Sequence, residues 1–251
     1  MDSAILTNLR IKGGNLKEND FERKYILARQ KEKRIYDDND LVRLPEIYQT
    51  HPHYAEWQQR KAAAEKLLQH LQKQNKALSI LEIGCGNGWL CNYLAQMRNS
   101  IVTGQDINFS ELQQAARVFT SVTNLGFIYG DLFDGILNRQ TYDVIVLAAA
   151  VQYFPSLIKI IGFALDHLAR SGELHIIDSP FYERADLSQA KQRTLDYYRD
   201  IGSAEMAAYY HHHCREDLSV FDYEVKYDPR SVINRFRRNK PAFPWICISK
   251  D

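Results

Sequence analysis

Apolar residues recur at two different periods along this chain, and the switches between them mark out its elements. From Trp57 onward, Ala64, Leu67, Leu68 and Leu71 fall at helical spacing with polar residues between them, which predicts a helix with one buried stripe. A short apolar run, Ser79 to Ile83, then reads as a strand, followed by a glycine-rich turn and a second helix carrying Trp89, Leu90, Tyr93 and Leu94. Further strands are predicted at Ile101 to Gln105, Gly126 to Tyr129 and Asp143 to Ala148, the last a continuous apolar run of the kind found in a parallel sheet covered on both faces. Ser110 with Gln113 three residues on reads as a capping box opening the helix after the second strand. Leu157, Ile161, Ala164, Leu165 and Leu168 form one helical stripe, with Gly172 placed as its left-handed cap and a fifth strand at Glu173 to Ile177.

Repeated strand–helix units joined by short loops predict an α/β fold, a doubly wound, mostly parallel sheet with right-handed crossovers. Such sheets bind ligands beyond the carboxyl ends of their strands. On either side of this region the pattern differs. Segment 1–56, with Gly13-Gly14 and a mixed-charge stretch from Glu22 to Asp40, reads as an N-terminal helical cap or lid with solvated faces, and segment 57–251 as the main domain. After Asp178 comes a tyrosine-rich, then histidine-rich segment, read as a helical insertion over 179–215 on the acceptor side. A strand near Phe221 to Val225, a basic helix from Val232 to Arg238 and a last strand at Trp245 to Ile248 complete the reading.

Composition narrows the partners. With 32 Lys and Arg against 31 Asp and Glu, no global field draws the chain to nucleic acid or an anionic membrane. The run Arg235, Arg237, Arg238 and Lys240 could touch phosphate, but without interleaved aromatics a solvated helix is the better reading. Cys85, Cys91, Cys214 and Cys247 form no C-x-x-C pair and are read as reduced thiols. Met1 to Arg10 carry no basic segment followed by an apolar core, and no apolar run is long enough to span a bilayer. A cytoplasmic protein acting on a small molecule is therefore expected, with a homodimer left open.

The chemistry concentrates in Leu81-Glu82-Ile83-Gly84-Cys85-Gly86-Asn87-Gly88, where three alternating glycines after a strand admit a ligand close to the backbone at a helix amino end. A dinucleotide fingerprint is G-x-G-x-x-G, and here the third glycine comes one residue early. That spacing, with Glu82 two residues before Gly84, resembles motif I of the class I S-adenosylmethionine-dependent methyltransferases. Later marks follow in the family's order: Gly104-Gln105-Asp106, Gly130-Asp131-Leu132, Tyr142-Asp143-Val144-Ile145 running into Ala148 to Tyr153, and Ser171-Gly172-Glu173-Leu174.

The resemblance implies a Rossmann-like sheet of about seven strands, with S-adenosyl-L-methionine as cofactor and S-adenosyl-L-homocysteine as product. It implies that Glu82, Gly84, Cys85, Gly86, Asn87, Gly88, Asp106, Ile107, Asp131, Leu132 and Ala148 bind the cofactor. In it, Asp106 grips both ribose hydroxyls, Asp131 accepts from the adenine amino group, and Glu82 joins a network to the cofactor's amino group. The loop Ala148-Ala149-Ala150-Val151-Gln152-Tyr153 lacks the Asn/Asp-Pro-Pro-aromatic pattern used on exocyclic base amines and release-factor glutamine, leaving the acceptor atom open between oxygen, nitrogen, carbon and sulfur.

Candidate catalytic residues are Tyr153 at the end of that loop and His211 or His212 in the insertion, a histidine being able to act as a base near neutral pH. Tyr182, Tyr197 and Tyr198 serve equally well as an aromatic wall or as ordinary core. Adjacent histidines on a helix cannot share one metal, so no metal is expected. Two other functions stay in view. A subunit or sensor that binds the cofactor without catalysis fits the same motifs, and a nicotinamide-dependent oxidoreductase fits the sheet but not the glycine spacing.

Overall fold

The computed structural model describes residues 8–11, 20–235 and 240–250. Gly13, Gly14, Arg237 and Arg238 lie outside the described residues.

The alternating burial of neighbouring apolar residues explains the central sheet. In β2 (Leu78–Ile83), Ile80 faces a core shared with α3 (Tyr54–Gln72), α4 (Trp89–Ala95) and α5 (Phe109–Val118). Leu81 and Ile83 face the opposite core, shared with α6 (Leu157–Asp166). The same division holds in β5 (Tyr142–Ala148), where Val144 and Val146 face one side and Ile145 and Leu147 the other. A continuous apolar run is thus what a strand covered on both faces requires.

With β1 (Leu9–Ile11), β3 (Ser100–Asp106), β4 (Leu125–Tyr129), β6 (Leu168–Ile177), β7 (Glu224–Tyr227) and β8 (Trp245–Ser249), the strand order is β1-β4-β3-β2-β5-β6-β8-β7. The six strands from β1 to β6 in that order pair parallel, and β8 and β7 close the far side antiparallel. From β2 the chain winds outward through β3 and β4, then returns to β5 and winds the other way. The crevice between these two directions is where ligands of such sheets bind.

The doubly wound α/β fold is as expected, with differences in detail. The sheet has eight strands, not seven, because Leu9–Ile11 adds a parallel edge to β4; so short a strand shows no period in the sequence. Helix α5 is capped by Asn108, whose side chain accepts from the Glu111 N–H at 3.1 Å, and not by Ser110. Ser110 instead donates to Glu22 of α1 (Asp20–Lys31), which the short α2 (Asp38–Leu41) follows. Gly172 is not a left-handed cap. Ser171 takes the positive φ of 59°, while Gly172 lies within β6, where a Cβ would come 2.9 Å from the Ala169 carbonyl. The strand foreseen near Phe221 forms at Glu224–Tyr227, and the basic helix α8 is described only over Val232–Arg235.

The insertion holds α7 (Leu187–Asp200) and a 3-10 turn at Ala204–Tyr209, after which residues 210–213 take no regular secondary structure. It packs on α1 through a small cluster of its own in which Ala28, Tyr198 and Met206 are buried beneath Phe21, Tyr25, Tyr153 and Tyr209. Among the described residues no helix is long and apolar enough to cross a membrane.

Candidate active site

The carboxyl ends of β2, β3 and β5 open into a cavity of about 660 Å³. Its floor is the turn after β2. Gly84 holds a φ of +71°, and a Cβ there would stand 2.9 Å from the Ala150 Cβ, so the glycine lets this turn approach the loop after β5. Gly88, at the amino end of α4 with a φ of +72°, would drive a Cβ to 2.8 Å from the Phe127 ring; its absence seats the helix on the sheet.

Asp106, the last residue of β3, braces this floor. One carboxylate oxygen accepts from the Gly86 N–H at 2.7 Å and the other from the Asn108 N–H at 2.8 Å. Burial raises its pKa while these N–H groups pull it down. Beside it Glu111, reached from Asn108 Nδ2 at 2.8 Å, is pushed up to about 8 by burial and by the neighbouring Asp106.

Of the expected binding residues, Gly84, Gly86, Asp106, Ile107, Asp131 and Leu132 line the cavity. Asp131 Oδ1 accepts from the Phe133 N–H at 2.9 Å. Glu82, Cys85, Asn87, Gly88 and Ala148 are not among the lining residues. Glu82 lies beneath the turn, accepting from the Cys91 thiol at 2.9 Å, with burial pushing it up to about 8. Asn87 Oδ1 accepts from the Trp89 N–H at 3.4 Å. Ala148 ends β5 just before Ala149, which lines the cavity in the left-handed region of the backbone, a strained conformation at a strand end.

Tyr153 lines the cavity, whereas His211 and His212 do not. The His211 N–H donates to the Gln152 carbonyl at 2.7 Å, and His213 Nε2 meets the Val151 carbonyl at 2.9 Å, stitching the insertion to the loop after β5. His212 Nε2 pairs with Thr194 Oγ1 at 2.9 Å, and burial lowers its pKa.

The opposite wall goes beyond the sequence reading. Phe21 and Tyr25 of α1 line it with Tyr209 and Tyr153, their rings in contact with centroids between 5.5 and 5.7 Å apart. Behind them Arg29 donates to the Tyr153 hydroxyl at 2.6 Å and pairs with Glu32 at 2.5 Å. Burial pulls Arg29 down, but Tyr153, Tyr25 and Glu32 outweigh it and hold the guanidinium charged. The chain of charges continues through Arg34, 3.4 Å from Glu32 and 2.6 Å from Glu56, to Arg60.

Away from the cavity, His70, Glu173 and His175 lie close enough to share an ion. Trp245 Nε1 donates to His175 Nδ1 at 3.1 Å, so in a neutral ring the proton sits on Nε2 and no lone pair is left for a metal there. Burial lowers the pKa of that ring. The cluster reads as a hydrogen-bonded clasp between α3 and β6, with Glu173 held at about 2 chiefly by His175.

The family profile described as a methyltransferase domain matches residues 54–222, more than half of the chain. The chain belongs to the class I S-adenosylmethionine-dependent methyltransferase family.

This methyltransferase is 33% identical over 113 residues to the protein-L-isoaspartate O-methyltransferase of Shewanella oneidensis, covering 45% of this chain and 48% of that one. It is 31% identical over 128 residues to the malonyl-[acyl-carrier protein] O-methyltransferase of Priestia megaterium, covering 50% and 45%. The chain thus spans about half the length of these curated relatives. In fold it is similar to the plantazolicin methyltransferase BpumL in complex with SAH, at a TM-score of 0.56 and 16% identity over 92% of this chain and 97% of that one. An O-methyltransferase family protein from Burkholderia thailandensis gives 0.57 at 10% identity, covering 91% and 70%.

The family's cofactor is S-adenosylmethionine, and the residues present fit it. The methyltransferase offers a glycine turn that a Cβ would block, and beside it a buried carboxylate that opens on the cavity.

Proposed function

We propose that the protein transfers the methyl group of S-adenosylmethionine to a small-molecule acceptor. The observation that carries this reading is the pairing, in one cavity, of a floor built from the Gly84–Gly88 turn and Asp106 with an aromatic wall contributed by α1 and the insertion.

When bound, the cofactor supplies a methyl group already activated on a sulfonium. Asp106 and Glu111 are assigned to the ribose hydroxyls, which need carboxylate acceptors, and Asp131 to the adenine amino group. Ile107 and Leu132 supply apolar surface to the adenine. Glu82 supports the turn from below through Cys91, with Cys85, Asn87, Gly88 and Ala148 shaping it. Phe21 and Tyr25 exclude water and orient the acceptor, so that segment 1–56 acts as the lid. That α1 forms part of the wall favours an acceptor small enough to be enclosed over a protein surface. Relatives named for oxygen and for carbon acceptors both match the chain, so their names do not choose the acceptor atom.

The test is transfer of tritium from methyl-labelled cofactor into a small-molecule extract, with wild type and Asp106→Ala in parallel. Label should enter molecules below a few kilodaltons and be lost in the variant. Cofactor binding without transfer, restored only by a second protein, would favour the non-catalytic subunit instead.

A further inference from the structure

S-adenosylmethionine and S-adenosylhomocysteine share adenine, ribose, ammonium and carboxylate, and they differ by one methyl group and one unit of positive charge on sulfur. A site that tells them apart by electrostatics must place a charge of opposite sign near that sulfur. The cavity is lined by three carboxyl side chains, Asp106, Glu111 and Asp131, and by one amine, Lys159, which is exposed in the first turn of α6. Asp131 is exposed after β4, which leaves Asp106 and Glu111 beside the glycine turn.

Of these two, Glu111 is the less tied. Both oxygens of Asp106 accept from backbone N–H groups, whereas Glu111 accepts from Asn108 Nδ2 through Oε2 at 2.8 Å. The half-buried Glu111 carboxylate overhangs the turn, Oε2 standing 3.2 Å from where a Cβ on Gly86 would be. Among the described residues no cation comes within ion-pair distance of it. Burial, with Asp106 of β3 and Glu22 of α1, pushes its pKa up to about 8, against the pull of Arg29 on α1 and Arg60 on α3. Tyr25 of α1 and Cys85 of the turn also face it, and burial raises both, the thiol to about 12, so neither gains a charge near neutral pH. Glu82, itself pushed up to about 8, lies beneath the turn on Cys91 and does not line the cavity.

We propose that Glu111 reads the charge on the cofactor's sulfur, standing as a carboxylate beside the sulfonium of S-adenosylmethionine and as a neutral acid beside S-adenosylhomocysteine. This rests on the methyltransferase reading above and adds to it a means of distinguishing substrate from product. The sulfur is bonded to the exocyclic carbon of the ribose to which Asp106 and Glu111 are assigned. That puts the charge within about 7 Å of the carboxylate, where two unit charges in a partly buried site change an affinity by more than tenfold. A ligand that prefers the carboxylate lowers its pKa and, by the same coupling, binds more tightly as pH rises. One proton passes from Glu111 to solvent when S-adenosylmethionine binds, and one returns from solvent once the sulfur has lost its charge. The proton count closes over the cycle, and the step it favours is release of the product.

The experiment titrates S-adenosylmethionine and S-adenosylhomocysteine by calorimetry into the full chain, as wild type, Glu111→Gln and Glu111→Asp, at pH 6 and pH 8.5. The preference for S-adenosylmethionine should rise with pH by about fivefold more in wild type than in Glu111→Gln. The ligands' own amines titrate alike in both proteins and cancel from that comparison. At pH 7, in buffers of different ionisation enthalpy, wild type should release about half a proton more on binding S-adenosylmethionine than on binding S-adenosylhomocysteine. Glu111→Gln should lose that difference, and Glu111→Asp should keep part of it. The proposal is overturned if Glu111→Gln retains the pH response or the proton release, or if the two ligands show the same proton release in wild type. Should the variants fail to fold, the proton release of wild type decides alone. Binding of neither ligand to wild type brings down the methyltransferase reading and this proposal with it, whereas binding of both with equal pH dependence sinks this proposal only.

Discussion

The two walls of the cavity are built by different means. The floor comes from strand ends and the turn after β2, positions within a few residues of a regular element, with backbone N–H groups as the ligands of Asp106. The aromatic wall comes from α1, the loop after β5 and the insertion, joined by contacts between residues far apart in the chain, such as Arg29 to Tyr153. Their electrostatics differ as well. On the floor, the buried Glu82 and the half-buried Glu111 are acids pushed up to about 8. On the other side acids are paired: burial would raise Glu56, but Arg34 and Arg60 hold it at about 2. The floor is preorganised by the sheet. The wall is held by charges and rings over a small apolar cluster, which suits an element that has to admit an acceptor.

The sharpest way to break this division is Gly84→Val. Gly84 takes a positive φ, and a Cβ there would stand 2.9 Å from that of Ala150, so the turn must shift. Cofactor binding measured by titration should fall beyond detection, while the contacts between α1 and the insertion persist. Arg29→Met acts on the other side. It leaves Glu32, whose side chain is nearly fully buried, without its closest cation. Breaking such a buried pair costs about 3 kcal/mol. Melting should show that loss while cofactor affinity stays near wild type; a parallel loss of cofactor binding would mean the two walls are one unit.

The pH response separates the regions in sign. Glu111 has a raised pKa in the fold, so its contribution to stability is complete below its ordinary value of 4.5 and is lost as pH rises through about 8. Glu56 has a lowered one, so its contribution is present above 4.5 and lost as pH falls toward 2. Unliganded protein should therefore melt lower at pH 8.5 than at pH 6, and Glu111→Gln should remove part of that difference, Glu82 and Asp178, which burial raises to about 8 and about 7, supplying the rest. An unchanged difference in Glu111→Gln would place the buried charge elsewhere. The smallest effect is expected from His212→Ala, which loses the Thr194 bond, worth about 1 kcal/mol. Methyl transfer should stay within about threefold, and a larger fall would return the histidine to the role of base.

The same contrast governs what could be read from the chain. Asp106 and Asp131 were legible because each follows a strand whose apolar run announces it, and the glycine turn because its spacing is local. Glu111 carried a signal that is easily misassigned: Asn108 stands three residues before it as the true cap, yet Ser110 and Gln113 show the same spacing. Tyr153 stood out as the end of a strand loop. Arg29, Phe21 and Tyr25 lie in a mixed-charge helix whose pattern reads as solvated, because the element that buries them lies far along the sequence. Nor could the histidines be placed, since the irregular run at 210–213 has no periodicity to separate a backbone clasp from a pocket residue.

The central claim is that the floor of the cavity is a cofactor site closed by Asp106. Calorimetric titration with S-adenosylmethionine, S-adenosylhomocysteine and NADH, on wild type and on Asp106→Ala, tests it directly. Both sulfur ligands should bind wild type and NADH should not. In the variant, two backbone N–H groups lose their acceptor, and binding should weaken by about 100-fold. Binding of NADH in their place, or equal affinity of the variant for S-adenosylhomocysteine, would contradict the account.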